Sequence, residues 1–319
     1  MSQSIQISAE VPDDLAGQRL DLVAAELFPD YSRSRLQSWI KQGELTVNGS
    51  SAKPKEKVIG GETLAICAQM MADQSWEPQA IDLDVIHEDE HILLVNKPQG
   101  LVVHPAAGNR DSTLLNALLH HAPGLGALPR AGIVHRIDKD TTGLLVVAKT
   151  LKAHHSLVSQ LQEKTAFREY EAIVCGVMTG GGKVDQPIGR HPTQRTRQAV
   201  VHSGGKAAVT HYRLLERFRA HTHIRVQLET GRTHQIRVHM AHIQYPLLGD
   251  PVYGGRLRIP KGASAELIEA LRQFKRQALH ARKLGFEHPE SGEYQEWEVA
   301  LPEDFSTMLS ILRDDAARG

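Results

Sequence analysis

Apolar residues recur at helical spacing at Leu20, Val23, Ala24 and Leu27, and Pro29 breaks the pattern. A second helix is expected next, capped by Ser32 or Ser34, with Leu36, Trp39 and Ile40 facing inward until Gly43 stops it. Residues 45–47 read as a strand entering a turn at Asn48-Gly49. Farther along, residues 131–134 and 144–148 are unbroken apolar runs of buried-strand length. Leu157, Val158 and Leu161 predict a helix from about 151 to 164. Within residues 168–174, alternation puts Tyr170, Ala172 and Val174 on one face of a strand. Ile224, Val226 and Leu228 alternate with polar partners as a half-buried strand does. Ser203-Gly204-Gly205-Lys206 predicts a hairpin tip, and a helix is expected to begin near Thr233, after a turn at Gly231.

Many strands joined by short turns, with few helical crossovers, imply an α+β fold whose sheet is mixed and largely antiparallel. The 319 residues suffice for two domains. The expected division is a small helix–strand module at 1–67 with its core at about 18–65, a linker at 68–80, and a larger domain at 81–319. The linker assignment rests on weak periodicity and on Pro78. No apolar run approaches the ~20 residues that a membrane-crossing helix requires. Met1-Ser2-Gln3-Ser4 has neither the basic start nor the apolar core of a secretory signal, so a cytoplasmic chain is expected. Cys67 and Cys175 fall in different domains and read as small buried hydrophobes rather than a disulfide or metal pair. No oligomerisation surface stands out, so a monomer is the default expectation.

A formal net charge of zero would argue against a nucleic-acid partner, but the distribution of charge points the other way. Residues 190–237 hold ten Lys or Arg against two acids, a local net of +8. Residues 287–315 hold nine acids against Arg313, a local net of −8. In the small module, between Arg33 and Lys57, Arg33, Arg35, Lys41, Lys53, Lys55 and Lys57 stand against only Glu44 and Glu56. Basic segments of this kind attract a phosphate backbone; the bland alternative is an ordinary solvated face.

Candidate chemistry concentrates in the polar link His135-Arg136-Ile137-Asp138-Lys139-Asp140-Thr141-Thr142-Gly143 between the two apolar runs. Rigid neighbours on both sides can hold its side chains in place. Asp138, two residues from the Arg136 guanidinium, is a candidate nucleophile or base kept ionised by its neighbour, the plain alternative being a surface salt bridge. Tyr170 is expected to point into the core or a cleft, where a phenol can stack on a base and exchange a proton. It can equally be a core tyrosine with a satisfied hydroxyl. Arg232 and Arg237 flank the helix start near Thr233, so either can meet a carboxylate or a phosphate. His234, His239 and His242 have a spacing open to zinc, but no cysteine joins them and no H-E-x-x-H pattern appears, so no metal is expected. Asp138-Lys139-Asp140-Thr141-Thr142 also fits the D-x-D-x-T signature of magnesium-dependent phosphatases of the haloacid-dehalogenase type. That fold needs a Rossmann-like βαβ series, whereas here the motif leads into another strand pattern.

The basic module at 18–65 resembles an S4 domain, a small RNA-binding unit. His-Arg-Ile-Asp at 135–138, Arg-Glu-Tyr at 168–170 and Gly-Arg-Thr-His-Gln-Ile-Arg at 231–237 resemble the three signature blocks of RluA-type pseudouridine synthases. Asn96-Lys97-Pro98 with residues 100–105 resembles that family's opening block, and residues 248–254 its glycine-rich loop. Ile137 stands where leucine is usual, a conservative apolar swap. The resemblance covers nearly the whole chain. It implies the pseudouridine synthase fold and the isomerisation of uridine to pseudouridine without a cofactor. It also implies 23S ribosomal RNA or an assembling large subunit as partner, with the target in the loop of the subunit-interface stem, helix 69. By the same resemblance Asp138 is the catalytic carboxylate, and Tyr170 stacks on the uracil and assists proton removal. Arg237 pairs with Asp138, with Arg232 in reserve for that role, and Arg136 fills the space left when the base leaves its helix. A non-catalytic RNA-binding or ribosome-assembly factor on the same fold would share the basic surfaces. Only the enzyme requires Asp138, Tyr170 and Arg237 to converge.

Overall fold

The computed structural model describes residues 3–29, 31, 33–70, 76–106, 108–194 and 196–318. The chain divides into two compact units, residues 1–75 and 76–319. In the first, β1 (Gln3–Glu10), β2 (Leu45–Val47) and β3 (Thr63–Met70) form an antiparallel sheet in the order β1-β3-β2, joined by helices α1 (Leu20–Leu27) and α2 (Arg33–Gln42). Leu20, Val23 and Ala24 meet Leu36, Trp39, Ile40, Leu64 and Ile66 in one core, as the helical spacing requires. The cap expected from the Ser32 or Ser34 side chain lies outside what is described. Asn48 and Gly49 take left-handed φ values of 49° and 76°, which suit a tight turn. β3 runs three residues past the expected end of the module, because residues 68–70 pair with β1. Cys67 is exposed rather than buried, since alternation gives the inward positions to Ile66 and Ala68.

The two helices of this unit are tied by a carboxylate. Asp21, with no exposed side-chain surface, accepts from Arg19 at 3.0 Å, Arg33 at 2.7 Å and Gln37 at 2.5 Å. Burial raises its pKa, but these hydrogen bonds and the Arg33 charge outweigh burial and lower it from 3.8 to about 2. Arg33 therefore commits Nε and Nη2 to Asp21, and Arg35 lies over the Trp39 ring. Lys41, Lys53, Lys55 and Lys57 are exposed.

The second unit begins with Trp76 packed on the larger core and with Glu77 and Gln79 hydrogen-bonded to Asn116, so residues 76–79 are structural rather than linker. Its strands are β4 (Val85–Glu88), β5 (Ile92–Lys97), β6 (Thr142–Ala148), β7 (Phe167–Cys175), β8 (Gly182–Asp185), β9 (Ile188–Arg190), β10 (Gln198–Val200), β11 (Val209–Arg217), β12 (His221–Leu228), β13 (Leu279–Glu287) and β14 (Tyr294–Glu298). Its helices are α3 (Leu114–His121), α4 (Leu151–Glu163), α5 (Gln235–His242), α6 (Ala265–Gln273) and α7 (Glu303–Ala317). The main sheet runs β4-β5-β6-β13-β7-β12-β11-β8, with β14 added to β13. Its pairs are antiparallel except β6 with β13, so the mixed, largely antiparallel sheet is as expected. Leu93, Val95, Tyr170, Ala172, Val174 and Val226 face a core shared with α3 and α5. Ile92, Leu94, Leu144 and Ile173 face the other side, covered by α4, α6 and α7.

Two expectations need correction. Residues 131–134 are not a strand: Arg130 and Ala131 take left-handed φ values of 53° and 52°, the chain turns sharply, and only Ile133 bridges Val147. Ser203–Lys206 is not a hairpin tip, because β10 pairs with β9 rather than β11, and Lys206 bridges Ile188. Part of the charge in the two oppositely charged runs is paired, some of it between them: Arg219 with Asp315 at 3.3 Å, and Arg313 with Glu216 at 2.7 Å. Arg225 pairs with Glu169, and Asp304 with Arg276.

Asp21→Ala is expected to cost the first unit about 2 kcal/mol, from several charge-assisted hydrogen bonds lost at one carboxylate. Its folded pKa lies below its unfolded one, so its contribution is present above pH ~4 and fades as pH falls toward about 2. Hydrogen exchange of the α1 and α2 amides checks both statements; equal protection in the wild type and the variant would contradict them.

Candidate active site

Asp138 lies on the loop that enters β6, and the loop is anchored through its backbone. At the end of β5, buried Lys97 donates from Nζ to the carbonyls of Pro98 at 2.7 Å, Leu101 at 3.0 Å and Lys139 at 2.8 Å. One ammonium thus holds the residue that follows Asp138. Burial pushes Lys97 down to about 7, against the opposing pull of Asp140 and Asp138. Thr141 N donates to the Asp138 carbonyl at 3.1 Å, and Gln277 Nε2 donates to Thr141 Oγ1 at 3.0 Å. Gly143, with φ 110°, lets β6 lie against β13 where a Cβ would meet the Ala281 carbonyl oxygen at 2.2 Å.

Arg237 reaches Asp138 from α5. Its Nη1 donates to Asp138 Oδ2 at 3.0 Å, while Nε and Nη2 grip both oxygens of buried Asp250 at 2.7 and 2.9 Å. Asp250 also accepts from the Val252 and Tyr253 amides at 2.8 and 3.0 Å. Burial raises the Asp250 pKa, but Arg237 and these amides hold it below the ordinary carboxylate range. Burial disfavours the Arg237 cation, yet Asp250 and Asp138 more than reverse that effect. The Tyr253 ring covers the Arg237 guanidinium, its centroid 5.1 Å away, and its hydroxyl bonds His234 Nδ1 at 2.9 Å. His234 Nε2 lies 3.9 Å from Asp138 Oδ1, beyond hydrogen-bond length.

These groups open onto a cavity of about 690 Å³ whose lining includes Asp138, Tyr170, Arg237, Arg136, Arg168 and Arg232. The Asp138 side chain is 17 % exposed, shielded but reachable. Tyr170 is buried in the wall on the face of β7 that alternation assigned to it. Burial raises its phenol pKa, the Arg168 charge lowers it, and Asp138 raises it. The sequence-predicted trio therefore converges. Arg136 is exposed at the cavity. Arg232 does not serve as an ion-pair partner: it is exposed, and its Nε donates to the Ala207 carbonyl at 3.0 Å, because Arg237 already fills the place beside Asp138. Sequence reasoning gave no role to Lys97, Arg168, Asp250 or Tyr253. A lone lysine ending an apolar strand and an acid inside a glycine-rich loop were the available signals.

The RNA pseudouridylate synthase family model matches residues 91–242, and the S4 domain model matches residues 18–64. The chain is 62% identical to ribosomal large subunit pseudouridine synthase D of Pseudomonas aeruginosa, over 99% of this chain and 98% of that one. It belongs to the RluA-type pseudouridine synthases. The protein of the same name from Escherichia coli K12 is 58% identical over 99% of this chain and 97% of its own length. A solved human structure, RNA pseudouridylate synthase domain containing 4, aligns with a TM-score of 0.57 at 27% identity, covering 72% of this chain and 92% of that one.

In this synthase the rival motifs have other uses. His239 bonds Thr210 Oγ1 at 2.8 Å and the Gln186 carbonyl at 3.0 Å, and among the described residues no cluster of His, Cys, Asp and Glu could hold a metal. The D-x-D-x-T stretch runs straight into β6, with no helix between. No helix among the described residues is long and apolar enough to cross a membrane.

Arg237→Lys tests the double clamp. One ammonium cannot hold both Asp250 oxygens and still reach Asp138 with planar geometry. A misplacement of ~1 Å is expected to slow pseudouridine formation on the order of 10²-fold under single turnover. A wild-type rate would mean that the fork geometry is dispensable.

Proposed function

We propose that this synthase converts uridines of 23S ribosomal RNA to pseudouridine, in the loop of the subunit-interface stem, helix 69, with Asp138 as the catalytic carboxylate. The relatives' names support large-subunit RNA as the substrate, free or in an assembling subunit. The observation that carries the reading is the Arg237–Asp138 ion pair set in one cavity with the Tyr170 ring.

The reaction breaks the N1–C1′ bond, turns the base and forms the C5–C1′ bond. C5 gives up one proton and N1 takes one, so atoms and electrons balance with nothing added. With Oδ2 held by Arg237, Oδ1 of Asp138 is the oxygen left to act on the sugar or the base. Tyr170 stacks on the uracil and assists the proton exchange in a shielded cavity, which limits competing hydrolysis. The target base must leave its stack to enter, and Arg136, exposed at the cavity, occupies the space it vacates. Exposed Lys41, Lys53, Lys55 and Lys57, with Arg33 and Arg35 on α2, supply the S4 unit's grip on phosphates. The enzyme works as a cytoplasmic monomer.

Asp138→Asn keeps the size of the side chain and a hydrogen-bond acceptor for Arg237. It is expected to abolish pseudouridine formation in helix 69 while RNA affinity stays within about threefold, because the phosphate contacts are untouched. Pseudouridine mapping on 23S RNA treated with each protein checks this. Normal modification by the variant would remove Asp138 from the chemistry.

A further inference from the structure

Among the described residues, buried Arg168 has no carboxylate partner. It lies on β7 two residues from Tyr170, lines the cavity, and is only 6 % exposed. Nη2 donates to the Glu229 carbonyl at 3.2 Å, but buried Nε has no hydrogen-bond partner. Two carboxylates that could have paired with it are engaged elsewhere: Glu229, whose carbonyl Arg168 meets, on His211 at 2.7 Å and Lys164 at 3.4 Å, and Glu169, next in sequence, on Arg225 at 3.2 Å. The guanidinium rests against the turn at Gly231, where a Cβ would lie 2.8 Å from Nη1. A side chain there would push the guanidinium aside. Burying a guanidinium without a counter-charge is costly unless a ligand completes it.

We infer that Arg168 is a catalytic residue that receives the negative charge developing on the uracil as its bond to the sugar breaks. The inference rests on the proposed isomerisation. When N1–C1′ breaks, its electron pair leaves with the base and spreads over N1, O2 and O4. The Arg168 guanidinium donates an N–H to one of those oxygens and gives up no proton. The charge is discharged when C5 re-forms the bond to C1′, loses its proton, and N1 is protonated. Depth favours the base over a phosphate: Arg168 stands in the wall beside Tyr170, whereas exposed Arg136 and Arg232 are available to the RNA backbone.

The test uses the full-length protein and a 23S RNA fragment containing the target loop, with Arg168→Met, Arg168→Lys and Gly231→Ala. Arg168→Met is expected to lower the single-turnover rate on the order of 10²-fold, as loss of one aimed donor does, while RNA affinity stays within about threefold. Its melting temperature is expected to hold or rise, because an unpaired buried charge is gone. Arg168→Lys is expected to recover part of the rate. Gly231→Ala, which displaces the guanidinium without removing it, is expected to lower the rate about tenfold. A wild-type rate for Arg168→Met alongside an inactive Asp138→Asn overturns this inference alone; an active Asp138→Asn overturns the proposed function itself. Weaker binding with a salt slope reduced by about one makes Arg168 a phosphate ligand and overturns the uracil role. A lower melting temperature with an unchanged rate per folded molecule makes it scaffold and overturns the role equally.

Discussion

A single guanidinium held between two carboxylates sets the geometry on which the site depends. Arg237 meets Asp250 with two donors and Asp138 with a third, a division that only a planar fork with several fixed N–H directions can make. Asp250 is itself fixed by two backbone amides of its own loop. The direction of the Asp138 carboxylate is thus inherited from backbone through two charged intermediaries. Buried ion pairs add little net stability over apolar packing, so the benefit of this arrangement is position.

The same logic appears beneath the loop. Lys97 uses its three donors on three carbonyls, holding the segment after Asp138 at the depth of the sheet. Arg276, gripped by Asp304, reaches the Asp140 carbonyl from the far side, and Gln277 holds Thr141. Cations thus hold the backbone while Asp138 keeps one oxygen free of Arg237 at the cavity. A loop of polar residues can be this rigid because each strap begins on a strand or beside one.

How much of this was legible follows from the range of the interactions. The helices of the small unit, β7 with Tyr170 facing inward, and β6 after the polar link are set by local periodicity, and they stand where it placed them. The apolar run at 131–134 failed as a strand because its backbone turns left-handed, which hydrophobicity does not report. The parallel contact of β6 with β13 joins residues 138 positions apart, and the tie between Asp250 and Arg237 spans a loop with no periodic signature. Linear charge counts pointed to an RNA partner but could not show cross-pairing such as Arg219 with Asp315. The convergence of Asp138, Tyr170 and Arg237 came from resemblance to a family rather than from spacing.

A crystal structure of the Asp138→Asn protein bound to RNA carrying the target loop would probe the site most sharply. The expected result is a uridine turned out of its stack into the cavity, its ring against Tyr170. The residue-138 side chain should lie within ~3.5 Å of the sugar C1′ or a reacting atom of the base, with Arg237 still joined to Asp250. A target uridine that remains stacked in the RNA, or one seated away from residue 138, would contradict the catalytic role of Asp138 and the clamp that aims it.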